Sequence, residues 1–486
     1  MARRRLPTLA VALCLAAAGC TPSQPSPSPS ESLPLPTLGP TSQPTEPTVP
    51  ATMPPPKDAP TRIADIDGDG QPDLVVVDRG RLPDDPEDAA GPREGSVQVA
   101  LSSGESQRWT MAELGLEWSD STHFGAGRLV TDLNLDGYAD VVVSDPTPEP
   151  EGDSRGAIYA LWGGPDGLHP GRFATLAVGE EASFTGWSMA LVDLPTRVLA
   201  VGTQHATGGG VALYPVGDDG SLDEPRLVDL DSPGVPGSAT KQNEFGSVLA
   251  ASGNTLAIGD PGATIEKAAR AGAVTLLRMT QDDFTVERIS EATEGVPGAP
   301  EPGDEFGWSV SLYRGLLAVG VPGEALGTLD QAGRVYLFTV SQDAVKTLPY
   351  VTQDSEGVAG NAEPGDRFGE SVTVFRPCDG TLGVLVGVAG ELSGEEPAGS
   401  GAVQTFRVSG SACKSLTIAS ETTAGLPSPP LGIEGSLTVL RDQPEFDSAE
   451  PVAAALTGGG IAVLRPPFAA IDEQFDLVGL PAAAQG

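Results

Sequence analysis

Histidine is nearly absent from this 486-residue sequence, with only His123, His169 and His205, each isolated from the others. That scarcity excludes a His/Cys zinc centre and an imidazole-based triad. All three are expected as exposed loop residues. Cysteine is almost as rare, at four, and Cys14 and Cys20 fall in the N-terminal segment. Only Cys378 and Cys413 remain for the body, and neither has the surroundings of a catalytic thiol. After the apolar stretch Leu6–Ala18, no run approaches the roughly 20 residues that a membrane-crossing helix needs. Helical periodicity is scarce, and no Gly-rich phosphate loop precedes a helix. Positive charge is also lacking. There are 28 Lys and Arg against 66 Asp and Glu, for a formal net charge of −38. A nucleic-acid partner is thereby excluded.

The N-terminus does carry positive charge, at Arg3, Arg4 and Arg5, followed by Leu6–Ala18 and then Ala17-Ala18-Gly19-Cys20. This is the pattern of a signal peptide. The last four residues resemble the lipobox of bacterial lipoproteins, in which Cys20 becomes an acylated N-terminus. The other reading is an ordinary secretory signal with an incidental cysteine, since Ala17 stands where a leucine is usual. Residues 1–19 are therefore expected as the signal, and removing them leaves 25 basic against 66 acidic side chains, a net charge of −41. From Cys20 to Pro60 the chain is rich in Pro, Ser and Thr and has almost nothing to form a core. At about 3.1 Å per residue in polyproline II, such a tether reaches on the order of 100 Å. The expected location is extracytoplasmic, with the membrane touched only through the lipid anchor.

From Thr61 onward the sequence repeats. GVPGAPEPGDEFGWSVSL begins at Gly295, GVAGNAEPGDRFGESVTV at Gly357, and a weaker copy at Gly234. Gly125, Gly186, Gly246, Gly307 and Gly369 are spaced by 61, 60, 61 and 62 residues. With degenerate copies near Arg62 and Gly435 the count is seven. Each copy reads as four short strands, which in the fifth are Trp308–Leu312, Leu316–Val321, Gly333–Val340 and Lys346–Thr352. Runs such as LLAVGV and RVYLFTV are nearly continuous in apolar character, as in a sheet covered on both faces. A regular pitch with four strands per repeat predicts an all-β fold, a seven-bladed β-propeller of four-stranded antiparallel blades over 61–486. An array of β-sandwiches would show a longer period and clearer alternation.

The repeated phrases are Phe306-Gly307, Gly320-Val321-Pro322 and Gly333-Arg334-Val335-Tyr336, and likewise Phe245-Gly246, Gly259-Asp260-Pro261 and Gly272-Ala273-Val274. They resemble the FG-GAP repeats of the integrin α-subunit propeller and its bacterial relatives, from about Thr61 to Leu480. Two departures stand out: Thr185 occupies the Phe place beside Gly186, and Gly127 replaces the usual Ser.

Two acidic segments, DIDGDGQPD (Asp65–Asp73) and DLNLDGYAD (Asp132–Asp140), fit D-x-[DN]-x-D-G-x-x-D, each followed by an apolar strand. Oxygen donors at positions one, three, five, seven and nine suit calcium, and the glycine at six permits the turn. The expected ligands of one ion are Asp65, Asp67, Asp69, the Gln71 carbonyl and Asp73. Those of the other are Asp132, Asn134, Asp136, the Tyr138 carbonyl and Asp140. An EF-hand is disfavoured because Val76 and Val143 stand where its bidentate glutamate would be. In integrin-like propellers this loop joins the first two strands of a blade, which matches its placement here. Cys378 and Cys413 fall between strands one and two and between strands three and four of the sixth copy. Those turns lie at the same end of a meander, so a disulfide between them is geometrically feasible.

Gly152-Asp153-Ser154-Arg155-Gly156 matches G-x-S-x-G, but PTPEPE precedes it and the strand AIYALW follows. A nucleophile elbow needs a buried strand before the serine and a helix after it. The functional expectation from sequence is therefore a calcium-binding surface adhesion or protein-interaction module without catalytic residues. Its partner would be a protein or glycan, met through long acidic loops such as Arg81–Gly95 and Asp145–Arg155. The alternatives are an exported hydrolase or lyase using channel carboxylates, and a structural subunit of an envelope complex.

Overall fold

The chain divides into two compact units, Met1–Met53 and Pro54–Gly486. The computed structural model describes residues 64–70, 73–78, 94–116, 123–146, 156–175, 182–183, 185–205, 208–355, 358, 360–375, 382–388, 390, 402–408, 420–425, 453–457, 460–464 and 471–476, all in the second unit. The signal, Cys20, the tether, Gln71, Cys378 and Cys413 lie outside the described residues. Most of the long loops Arg81–Gly95 and Asp145–Arg155 does too.

The described residues form seven antiparallel sheets in chain order, the blades of an all-β propeller. Blades 2, 4, 5 and 6 each have four strands in simple meander order. Blade 3 has a fifth, because its long strand Val198–His205 pairs with Met189–Val192 along one half and with Ala182–Ser183 at its far end. Blades 1 and 7 show three strands among the described residues. The last strand of blade 7 among the described residues is Ile471–Asp476. In blade 5 the fourth strand stops at Thr347 instead of Thr352. Pairing resumes only as a bridge between Val335 and Val351, so the intervening residues bulge.

Middle strands such as Asp140–Asp145, Thr255–Asp260, Ala273–Met279 and Leu316–Val321 are buried along their whole length. The cause is double cover, and the core is accordingly divided into clusters shared by neighbouring blades. One joins blades 1 and 2, another blades 2 and 3, and the series continues through blades 3 and 4, 4 and 5, and 5 and 6. The phenylalanine of each Phe-Gly pair enters such a cluster: Phe124, Phe245, Phe306 and Phe368 are all fully buried. Burying one contributes about 1.5–3 kcal/mol. Between blades 2 and 3, where Thr185 stands in that place, the cluster includes Met189 and Tyr214.

The glycine after each phenylalanine, and Gly186 after Thr185, holds positive φ, from 76° at Gly125 to 119° at Gly186, which only glycine adopts freely. Its carbonyl is aimed at the preceding blade. A methyl group added at Gly202, Gly259 or Gly320 would collide with the carbonyl of Gly246, Gly307 or Gly369. Beside two of those glycines a serine closes the contact: Ser188 Oγ donates to Gly246 O (2.6 Å) and Ser309 Oγ to Gly369 O (2.8 Å), whereas beside Gly259 the place is held by Val248. Blade 2 inverts the pair. Gly127 occupies the serine place, Ser144 the glycine place, and Ser144 Oγ donates to Gly186 O. The two departures compensate, and one hydroxyl is delivered from the opposite strand.

The compensation is testable. Gly127→Ser alone crowds Ser144 Oγ and Gly186 O and should cost about 1–3 kcal/mol in urea unfolding, as overpacking does. Adding Ser144→Gly should recover most of that loss. A double variant no more stable than the single one would show that the pair is not exchangeable.

Candidate functional site

The two aspartate loops lie at equivalent places, each just before the second strand of its blade. Their hydrogen bonds repeat position by position. Gly70 N donates to Asp65 Oδ2 (3.1 Å) and Gly137 N to Asp132 Oδ2 (3.0 Å). Asp69 N donates to Asp67 Oδ1 (3.0 Å) and Asp136 N to Asn134 Oδ1 (3.1 Å). The ninth residue acts as a clasp in both. Asp73 accepts from Ile66 N (2.7 Å) across its own loop and from Ser102 N (2.8 Å) beyond the next strand. Asp140 accepts from Leu133 N (2.7 Å) and Gly163 N (2.9 Å) in the same way.

Asp65, Asp67 and Asp73 each bring one oxygen within 4.8 Å of the others. Asp69 turns to the Ser102 hydroxyl. In the second loop no such trio of carboxylates forms; Asn134 is neutral, and its amide donates to Asp136 Oδ2 (2.9 Å). The Tyr138 ring packs over Gly68, so the two loops touch. Burial pushes the carboxyl of Asp73 up to about 7 and that of Asp140 up to about 8. Burial also raises Asp67 and Asp132. Grouped oxygen donors that resist ionisation together are a donor set that a hard cation suits.

A second polar constellation was not singled out from sequence. The first strands of blades 2 to 6 pack side by side around an axial cavity of about 1000 Å³. At the Phe-Gly end its wall includes Trp187, Gln204, Glu244, Trp308 and Glu370. Gln204 and Glu244 also line an adjoining pocket of about 450 Å³, where Arg270 bridges two carboxylates, with Nη1 to Glu244 Oε1 at 2.6 Å and Nη2 to Glu305 Oε1 at 2.8 Å. Arg367 continues the chain, with Nε to Glu370 Oε2 at 2.6 Å and Nη2 to Glu305 Oε2 at 3.5 Å. Its guanidinium also lies 5.4 Å from the Trp308 ring centroid. Arg270, Glu305 and Arg367 all hold a left-handed backbone, with φ of 55°, 62° and 55°. Such a conformation costs a non-glycine residue roughly 1–3 kcal/mol and concentrates at functional positions. The sequence signal was available: Glu244, Glu305 and Arg367 each directly precede the phenylalanine of a Phe-Gly pair.

Of the histidines, His123 is exposed and packs edge-on against Trp187 at 5.3 Å. His169 and His205 belong to strands, not to the loops expected.

Comparison with known proteins is uneven. No family model matches. A stretch of 108 residues, 21% of this chain, is 35% identical to integrin alpha-PS2 of Drosophila melanogaster. The chain spans only 7% of that relative's length. Among solved structures, the periplasmic gluconolactonase of Pseudomonas aeruginosa aligns over 84% of this chain and 98% of its own, at 14% identity and a TM-score of 0.46. A putative 6-phosphogluconolactonase from Bacteroides uniformis covers 80% and 91%, at 11% and 0.45. These resemblances correct the functional expectation. The chain was read as a non-enzymatic adhesion or interaction module, whereas the solved structures it resembles over most of its length are named as lactonases. What chemistry this chain can perform must come from its own residues.

The clasp generates a prediction. Asp140→Ala removes the acceptor of two buried backbone hydrogen bonds and should cost about 3 kcal/mol in urea unfolding. Asp140→Asn, which keeps one acceptor oxygen, should lose about half as much. Equal stability of wild type and both variants would mean that the loop does not depend on its ninth residue.

Proposed function

We propose that this chain is an exported hydrolase whose catalytic groups lie at the pocket of about 450 Å³ that adjoins the Phe-Gly end of the axial cavity. The observation that carries the reading is Arg270 held between Glu244 and Glu305 at an open mouth on strained backbone. Glu244, one-third exposed, takes a proton from a water molecule as that water attacks an acyl carbon. Arg270, steadied by Glu305, stands against the oxyanion that develops. Collapse of the tetrahedral intermediate breaks the C–O bond, and the leaving alkoxide recovers the proton from Glu244. The reaction class is hydrolysis of a carboxylic ester or lactone, and Trp308 offers a flat apolar wall for the substrate.

The propeller carrying this site belongs, in our reading, with FG-GAP-type lipoproteins. Arg3–Arg5 and Ala17-Ala18-Gly19-Cys20 support export and acylation at Cys20, with residues 20–60 as tether and 61–486 as the working domain. Calcium is assigned to Asp65, Asp67, Asp69, Gln71 and Asp73, and to Asp132, Asn134, Asp136, Tyr138 and Asp140. Its role there is structural, since those loops lie beyond the strand ends opposite the Phe-Gly turns. A Cys378–Cys413 disulfide is part of the same proposal.

The purified chain should hydrolyse p-nitrophenyl acetate or glucono-δ-lactone above the buffer rate. Arg270→Met and Glu244→Gln should each lower kcat/KM by about 100-fold or more, the scale seen when an oxyanion donor or a general base is removed. Wild-type rates in both variants would refute the assignment.

Calcium is tested separately, by melting. At calcium tenfold above Kd, each site stabilises by about 1.4 kcal/mol, so chelator should lower Tm by a few degrees. The part of that shift supplied by the loops should be lost in the Asp65→Asn, Asp132→Asn double variant. An identical Tm with and without chelator would remove calcium from both loops.

A further inference from the structure

Away from the cavity and the aspartate loops, at the junction of blades 4 and 5, three carboxylates meet inside the protein. Glu291 follows the last strand of blade 4, Asp304 stands two residues before Phe306, and Glu324 follows the Gly320-Val321-Pro322 turn. They are 4%, 2% and 8% exposed, and each brings one oxygen within 4.8 Å of the others. From the adjoining strand of blade 5, Arg334 and Tyr336 face them. Arg334 Nη2 pairs with Glu324 Oε1 at 2.8 Å, and its Nη1 lies 3.8 Å from Glu291 Oε1. The Tyr336 hydroxyl donates to Glu291 Oε1 at 2.5 Å and accepts from Arg334 Nη1 at 2.6 Å. The other oxygen of Glu291, Oε2, is buried and accepts no hydrogen bond from any donor.

Burial of this kind demands charge balance. Three carboxylates and one guanidinium leave two negative charges uncompensated, which is the charge of one divalent cation. An unsatisfied carboxylate oxygen in the same group is the kind of position such an ion occupies. The other junctions show that the propeller does not need these residues for packing. At the places of Glu291, Arg334 and Tyr336, the next junction has Gln353, Ala402 and Gln404, and the preceding one Leu230, Ala273 and Thr275. Only the junction of blades 4 and 5 combines the trio with arginine and tyrosine among the described residues.

We infer that Glu291, Asp304 and Glu324 form a third cation site, oxygen-lined and selective for a hard divalent ion such as calcium, that pins blade 4 to blade 5. It is independent of the two aspartate loops and of the hydrolase reading. Its ligands come from three segments between residues 291 and 324, so loading the site ties the end of one blade to the turns of the next.

The test is a count of bound calcium on the full chain by equilibrium dialysis, with Glu291→Gln as the first variant. Glutamine is what the end of blade 5 carries at that place, as Gln353, so the fold should accept it. The variant should bind one calcium fewer per chain than the wild type, whatever the aspartate loops bind. Equal counts would overturn the site and leave a carboxyl cluster that balances its charge with protons. Tyr336→Phe provides a second readout. Terbium in this site would be excited through the adjacent Tyr336 ring, so that variant should lose part of the tyrosine-sensitised emission while keeping its full metal count. Emission equal to wild type would place the bound terbium elsewhere and overturn the inference as well.

Discussion

The carbonyl of the glycine in each Phe-Gly turn lies where a side chain on the preceding blade would otherwise have to be. That one approach sets the spacing of the blades near the axis. It requires positive φ at the glycine that turns and a missing Cβ at the glycine it meets, and at Gly246 and Gly369 a serine hydroxyl alongside donates to the carbonyl. The phenylalanine just ahead is then driven into the shared core between two blades, and its amide donates to the carbonyl before the next turn, as Phe306 N does to Ala271 O at 2.9 Å. Sequence motif and fold are the same constraint seen at two levels, because a side chain at either glycine would leave a strained turn or a clash.

At the opposite end the blades are joined by polar contacts passed from each to the next. Ala139 N donates to Asp65 O, linking the loop of blade 2 to that of blade 1. Arg197 of blade 3 then donates both terminal nitrogens to Asp132 O (2.6 Å) and Leu133 O (2.7 Å) of blade 2. Asp193 N reaches Gly253 O of blade 4, and Arg278 Nε reaches Ser341 O of blade 5. The aspartate loops therefore lie in the path that couples the blades, and whatever stiffens them stiffens their neighbours. This gives a structural cation a reason to sit there without any part in chemistry.

Much of this architecture was legible because repeats report themselves. The pitch of the glycines, the apolar middle strands and the two D-x-[DN]-x-D-G loops all follow from local rules, and the strands of blade 5 begin within a residue of where the sequence places them. What escaped the reading depends on contacts between distant residues. The end of the fourth strand in blade 5 is decided by pairing with Val335, which no local pattern announces. Arg270 meets Glu305 35 residues away, and Glu291 meets Tyr336 45 residues away; each pairing exists only because consecutive blades bring the same loop positions together. In a chain with 66 acidic residues, no individual glutamate draws notice until a partner is found. The exchange of Gly127 and Ser144 was visible as one anomaly, and its compensation became visible only across the strand pair.

The distinction between the two ends of the propeller bears on what kind of activity such a scaffold supports. Acidic side chains dominate the composition, yet at the Phe-Gly mouth the carboxylates alternate with arginines instead of clustering. Alternation keeps the local charge near balance, which lets ionised groups stay close together, partly buried and fixed in direction. Fixed direction is what separates a site that stabilises a developing charge from a surface that merely attracts one. The left-handed backbone at Arg270, Glu305 and Arg367 adds that the chain tolerates local strain to hold these side chains inward. The shared cores on either side offset that cost, since a rigid, doubly covered sheet can carry a strained turn that an isolated loop would relax. A cation between blades 4 and 5 would act in the same direction, because Asp304 immediately precedes Glu305 and any restraint on one carboxylate is transmitted to the next.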